Sequence, residues 1–138
     1  MSLLNVFNIA GTALSAQAVR LNVTASNLAN IDSISSSVSS TYRARQPIFQ
    51  AMYDDFMHAG KPSSGVRVDR IVESQAPLKQ QYQPEHRFAN DEGYVFLPNV
   101  NVMHEMANMI SASRAYQNNV EVINTSKEML LRTLTLGQ

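Results

Sequence analysis

The chain has 138 residues, 44% of them hydrophobic and 16% charged, with no net formal charge at pH 7. That length holds one modest domain, or one domain with an excursion, and the charge balance leaves out both the basic surface of a nucleic-acid-binding protein and an acidic tail. With no cysteine present, disulfides, thiolate chemistry and cysteine–zinc sites are excluded, and no run approaches the ~18 apolar residues of a membrane-crossing helix.

The first residues, Met1-Ser2-Leu3-Leu4, lack a basic n-region, and the first cationic side chain is Arg20. A cleaved secretory signal is therefore not expected. From about Asn5 to Asn30 the spacing predicts a helix. Phe7, Leu14, Leu21 and Leu28 recur every seven residues, with Gly11, Ala18 and Ala25 between them. Ile9, Ala16 and Val23, with Val19 close by, fall roughly 200° around the wheel. The helix is thus apolar front and back, and Arg20 is its only charge. A helix apolar on two sides is buried between layers. The expectation is that a C-terminal helix covers the front and a neighbouring subunit the back.

Ser33 to Thr41 is serine-rich and predicts a flexible loop. The middle of the chain then reads as short strands. Tyr42 to Phe49 is one, confined to an edge by Pro47. Ala51 to His58 reads as a helical turn or an irregular segment, and Gly60 to Gly65 as a turn or exposed loop. Gly65 to Glu73 is the best strand, Leu78 to Tyr82 another, and Tyr94 to Leu97 a short apolar one stopped by Pro98. The last helix begins near Asn99 to Asn101, with Asn101 as N-cap and Glu105 in the favourable early turn. It runs uninterrupted to Leu136. Val102, Met109, Tyr116, Ile123 and Leu130 form its predicted apolar front, joined by Met106, Val120 and Leu134. Its back is polar: His104, Ser111, Asn118, Thr125 and Arg132.

Candidate chemistry is thin. Asp54 and Asp55 with His58 span one helical turn, but solvated side chains are the better reading. His104-Glu105 begins like a zinc-protease helix, yet Asn108 stands where the second histidine belongs. Gly60-Lys61 is not a phosphate loop, because Asp55 occupies the position of the first glycine. Two glycosylation-like triplets, at Asn22 and Asn124, lie on predicted helices. The methionines of the last helix, Met103, Met106, Met109 and Met129, read as packing. No catalytic residue, cofactor or metal is expected. The predicted fold is mainly α with a small β insertion: terminal helices paired as an antiparallel coiled-coil hairpin (1–31 and 99–138) around a β-rich side domain (32–98).

Two motifs give this pattern a family likeness. Ala25-Ser26-Asn27-Leu28-Ala29-Asn30 resembles the end of the N-terminal helix in the axial proteins of the bacterial flagellum, the rod and hook subunits. Glu105-Met106-Ala107-Asn108-Met109-Ile110, followed by Ser111-Ala112-Ser113-Arg114-Ala115-Tyr116-Gln117, is similar to their C-terminal helix motif. The ending Thr133-Leu134-Thr135-Leu136-Gly137-Gln138 and the segments Tyr42-Arg43-Ala44-Arg45 and Glu73-Ser74-Gln75-Ala76-Pro77 sharpen the resemblance to proximal-rod subunits. One departure stands out. Many relatives follow the asparagine motif directly with a threonine-x-glycine-aromatic turn, whereas here Ile31-Asp32-Ser33 and the serine loop intervene.

The resemblance implies a structural subunit, exported unfolded through the flagellar type III apparatus without signal cleavage. Such a subunit assembles in the periplasm with other proximal- and distal-rod subunits and with a rod adaptor at the membrane ring. The rod so formed is hollow, transmits torque and conducts later subunits, with the C-terminal helix innermost. No nucleic acid and no membrane insertion are implied. The residues expected at helix-packing or subunit interfaces are Phe7, Ile9, Leu14, Val19, Leu21, Val23, Asn27, Leu28 and Asn30 on the first helix. On the last they are Met106, Met109, Arg114, Tyr116, Val120, Ile123, Leu130 and Leu134. An enzyme using Asp69 and Glu73 would need a cleft that perturbs their titration. A soluble helical-hairpin adaptor or secretion chaperone would need a charged outer face on the first helix, which is missing.

Overall fold

A computed structural model describes residues 3–53 and 64–136. Helix α1 spans Leu3–Ala29 and helix α2 spans Val102–Leu136. Between them lie strands β1 (Arg45–Tyr53), β2 (Ser64–Glu73), β3 (Lys79–Tyr82) and β4 (Tyr94–Leu97). The strands pair as two separate two-stranded sheets, β1–β2 and β3–β4. Two terminal helices flanking a small β region is the fold class expected from the sequence.

Both helix ends are set by asparagine. At the close of α1, the Asn30 side-chain amide donates to Ser26 O at 2.8 Å, and Ile31 N donates to Leu28 O at 3.3 Å, which tightens the last turn. At the start of α2, Asn101 Oδ1 accepts the His104 N–H at 3.2 Å. That is the N-cap bond, worth ~1 kcal/mol. At ~1.5 Å per residue α2 is a rod of roughly 50 Å.

The β1–β2 hairpin is antiparallel, from Arg45 opposite Glu73 to Tyr53 opposite Ser64, with a register shift between Ile48 and Phe49. Pro47 sits opposite Ile71; in a two-stranded sheet every strand is an edge, where proline is tolerated. Two sequence expectations change here. The strand starts three residues later than Tyr42, and Ala51 to Tyr53 extend it rather than forming a helical turn. Asp54 to Ser63, with His58 and most of the expected Gly60 turn, lie outside the described residues.

The serine loop is not a free linker. Ser35 bridges β4 through two backbone hydrogen bonds with Phe96, of 3.0 and 2.9 Å. Hydroxyl groups of Ser35, Ser37, Ser39 and Ser40 bond among themselves, and Thr41 Oγ1 donates to Ser37 O at 2.6 Å. Composition suggested flexibility, but short hydroxyl side chains also organise turns by bonding nearby backbone.

Helix α1 packs on α2 and also on the β1–β2 hairpin. The hairpin comes close at Gly65, where a Cβ would lie 3.0 Å from Thr12 Oγ1. Thr12 Oγ1 accepts the Val66 N–H at 3.2 Å and donates to Ile9 O at 2.8 Å. The second face of α1 therefore finds cover within the same chain. Val23, on the expected outward back, is only 7% exposed. The expectation that the back face waits for another subunit is corrected for Ala16 and Val23, which the protomer's own elements bury, while Ile9 and Val19 stay half-buried.

The seam on α2 differs as well. Its most buried residues are Glu105, Ala112 and Ser126, with Asn119 half-buried between the last two, again seven apart. The large apolar residues of the predicted front are split. Met109, Ile123 and Leu130 are half-buried, whereas Val102, Tyr116 and Leu134 are exposed. Small side chains are also among the most buried of α1, Ala10 and Ala16 at 3% and 2% exposed, and small residues let packed elements approach while bulkier ones flank them.

Candidate assembly interface

The end of α1 meets β1 and the start of α2 at Asn27, which has no exposed surface. Its amide nitrogen donates to Arg45 O at 2.8 Å and to Glu105 Oε2 at 3.2 Å. Its oxygen accepts from Arg45 N and from the Tyr42 hydroxyl, both at 2.9 Å. Four bonds to three residues, in two segments of the chain, use the full capacity of the amide. Tyr42 Oη also lies 3.2 Å from Ser26 Oγ. Just before α2, Asn99 Oδ1 accepts the Ala44 N–H at 2.8 Å, and its amide donates to Ser74 O and Ala76 O. Arg43 reaches the same two carbonyls. The junction of helices and side sheets is thus a satisfied polar network, a kind that specifies one geometry.

Two turns back on α1, Arg20 Nη2 donates to Asn108 Oδ1 at 2.9 Å. Arg20, Thr24, Arg45, Gln46, Phe49 and His104 line a cleft of about 320 Å³ whose wall also includes Glu105 and Asn108. Arg45 is paired with Glu73 at 3.2 Å in a half-exposed ion pair.

The expected interface residues fall into two groups. Phe7, Ile9, Leu14, Val19, Leu21, Leu28 and Asn30 are half-buried and Val23 and Asn27 buried inside the protomer, as Met109, Ile123 and Leu130 partly are. Met106, Arg114, Tyr116, Val120 and Leu134 are exposed, and Arg114 makes no ion pair among the described residues. The exposed set belongs to a stripe the sequence reading did not separate. Met103, Met106, Ile110, Val120, Leu131 and Leu134 are 77%, 49%, 54%, 36%, 54% and 67% exposed. Their positions step by threes and fours, or sums of these, on the α2 face away from the Glu105–Ser126 seam. The row is interrupted by Ser113, Gln117, Asn124 and Lys127, so its apolar surface falls into patches at Met103–Ile110 and Leu131–Leu134 with Val120 between, and exposed apolar patches mark interaction sites. The polar back of α2, His104 to Arg132, is exposed throughout. On α1 the exposed positions, Asn8, Gly11, Ser15, Asn22, Ala25 and Ala29, are small and uncharged.

Catalytic constellations do not form at the residues considered. Asp69 lies 3.7 Å from Arg70, and Glu73 is taken by Arg45. Among the described residues no three potential ligands gather to hold a metal ion, and no helix is long and apolar enough to cross a membrane.

Comparison with known proteins meets the geometry at both ends of the chain. Residues 7–33 match the family described as flagella basal body rod protein, and residues 91–136 match the C-terminal family of the flagellar basal body rod FlgEFG proteins. Proteins named flagellar basal-body rod protein FlgC are similar over 100% of both chains. Identity is 53% in Salmonella typhimurium, 54% in a strain of Escherichia coli and 43% in Buchnera aphidicola from Acyrthosiphon pisum.

Proposed function

The chain belongs to the flagellar basal-body rod protein family, and from that premise we propose how it builds the rod. It is a structural subunit of the flagellar basal body, not an enzyme. In this reading α1 and α2 pair as an antiparallel coiled coil made of residues 1–31 and 99–138, with 32–98 as a side domain. Three contacts support the direction. Asn27 meets Glu105, Arg20 meets Asn108, and Val6 shares a surface depression with Asn118 to Met129. Moving back along α1 moves forward along α2.

The single observation that carries the assembly reading is the exposed apolar stripe of α2. Its members fall at coiled-coil spacing, interrupted by Ser113, Gln117, Asn124 and Lys127, and no described residue covers them. Each side chain of this size buried on docking contributes ~1.5–3 kcal/mol. The partners of this reading are other proximal- and distal-rod subunits, including further copies, and a rod adaptor at the membrane ring. Delivery is through the flagellar export apparatus without signal cleavage. The hollow shaft so formed transmits torque and conducts later subunits. The adaptor or chaperone reading is not favoured, since relatives similar over the whole chain carry the rod name.

The test places one charge on the stripe. Ile110→Asp and Leu131→Asp should leave the protomer folded and exported but stop rod assembly and swimming. Ser111→Asp, on the polar back, should do neither. Normal rods from both stripe variants would remove the support for this interface.

A further inference from the structure

Helix α1 carries one ionisable side chain in 27 residues, Arg20. Its hydrogen-bond partner, Asn108 Oδ1 at 2.9 Å, is neutral, and Arg20 forms no ion pair with any described residue. It lines the 320 Å³ cleft between α1, β1 and the start of α2. The other charges there are spoken for. Arg45 is bonded to Glu73, and Glu105, the one carboxylate of the lining, is 4% exposed and bonded to Asn27. A guanidinium with only a neutral partner, at an open cleft, is an unfilled site for a carboxylate, because charge-assisted pairs are the stronger ones.

The protomer also displays unmatched carboxylates. Glu121 and Glu128 are exposed, make no ion pair among the described residues, and sit one heptad, or two turns, apart beside the apolar stripe of α2. Residues flanking an apolar seam are those that set partner choice and register between helices. We propose that the Arg20 cleft is a docking site for a second copy of this chain, which inserts Glu121 or Glu128 of its α2 so that the carboxylate pairs with the Arg20 guanidinium. This rests on the rod-subunit reading and adds to it a specific contact between copies.

The test uses charge exchange in motile cells. Arg20→Glu should abolish swimming and rod assembly while export continues, and Arg20→Lys should retain partial swimming where Arg20→Gln does not. Glu121→Arg or Glu128→Arg, added to Arg20→Glu, should restore it. Ser15→Ala, at an exposed position of α1 outside the cleft lining, should swim normally.

Because the chain has no cysteine, Asn108→Cys with Asn124→Cys gives a clean crosslinking pair that leaves all three charged residues in place. These positions are ~24 Å apart on one straight helix, so a short bis-maleimide that joins them must join two chains. The expected result is a reduction-resistant dimer of this chain in isolated basal bodies that neither single-cysteine chain gives. Full swimming by Arg20→Glu, no rescue of it by either Glu121→Arg or Glu128→Arg, or crosslinks only to a different protein would each overturn the proposal. Absence of the wild-type chain from isolated basal bodies would instead overturn the rod-subunit reading.

Discussion

Asn27 and Asn99 grip neighbouring peptide groups of one segment. Asn27 Oδ1 accepts the Arg45 N–H at 2.9 Å, and Asn99 Oδ1 accepts that of Ala44 at 2.8 Å. One amide comes from the end of α1 and the other from the residues leading into α2. The entry to the β1–β2 hairpin is therefore held from both helices, and its direction is fixed by side chains far away in sequence.

Removing the Asn27 amide should be severe. Asn27→Ala leaves Arg45 N and O, the Tyr42 hydroxyl and Glu105 short of partners in a buried place. Each such group costs about 1–3 kcal/mol, so a loss of ~3 kcal/mol or more is expected in urea unfolding. Asn27→Asp should be no better, since an oxygen would then face Arg45 O and the Glu105 carboxylate. Tyr42→Phe removes one member of the network and should cost about 0.5–1.5 kcal/mol. A wild-type midpoint for Asn27→Ala would show that the network is dispensable.

Val23 and Leu21 separate two kinds of damage. Val23 is 7% exposed and Leu21 half-buried. An unpaired carboxylate at Val23 has no route to water, so Val23→Asp should unfold the protomer in circular dichroism and thermal melts. Leu21→Asp should lower the melting temperature while leaving a folded chain. The reverse order would mean that the helix is turned differently on its partners.

Gly93 is the one glycine of the described residues with a left-handed backbone, φ 80°. An added Cβ would lie 2.8 Å from Tyr82 Cε2 and 3.2 Å from Pro84 Cβ. Gly93→Ala should destabilise the β3–β4 turn by ~1–3 kcal/mol, read as a lower unfolding midpoint and loss of the edge-on Tyr82–Tyr94 contact, now 5.3 Å between ring centres. An unchanged midpoint would argue against strain at this turn.

The Arg45–Glu73 pair should matter little. Both side chains are about half exposed, 48% and 49%, and such pairs contribute about 0–1 kcal/mol. Glu73→Gln is expected to melt within a degree or two of the parent chain, and a large drop would show that the pair is coupled to the Asn27 network.

What the sequence made legible was local. Asn101 reads as an N-cap from its own neighbourhood, and β4 from four apolar residues before Pro98. The seam of α2 was not legible in the same way. Hydropathy ranks Val102, Tyr116 and Leu134 above Glu105, Asn119 and Ser126, yet the latter face the partner helix. Periodicity finds an apolar face without saying which partner it serves, and close helix approach favours small side chains that score as neutral. Asn27 could be picked out by its motif, but its four bonds join segments 15 to 78 residues away, a relation no local pattern carries. Ser35 is the same case: its bridge to Phe96 spans most of the β region.

The Asn27 junction also has a mechanical character. Apolar contacts slide and still hold, because dispersion and water exclusion have no preferred direction. Hydrogen bonds weaken steeply once bent or stretched, so a joint made of four of them on one amide resists small twists and then lets go together. Load reaching the side hairpin would be met by a click-stop rather than a bearing, with one rest position and little creep around it.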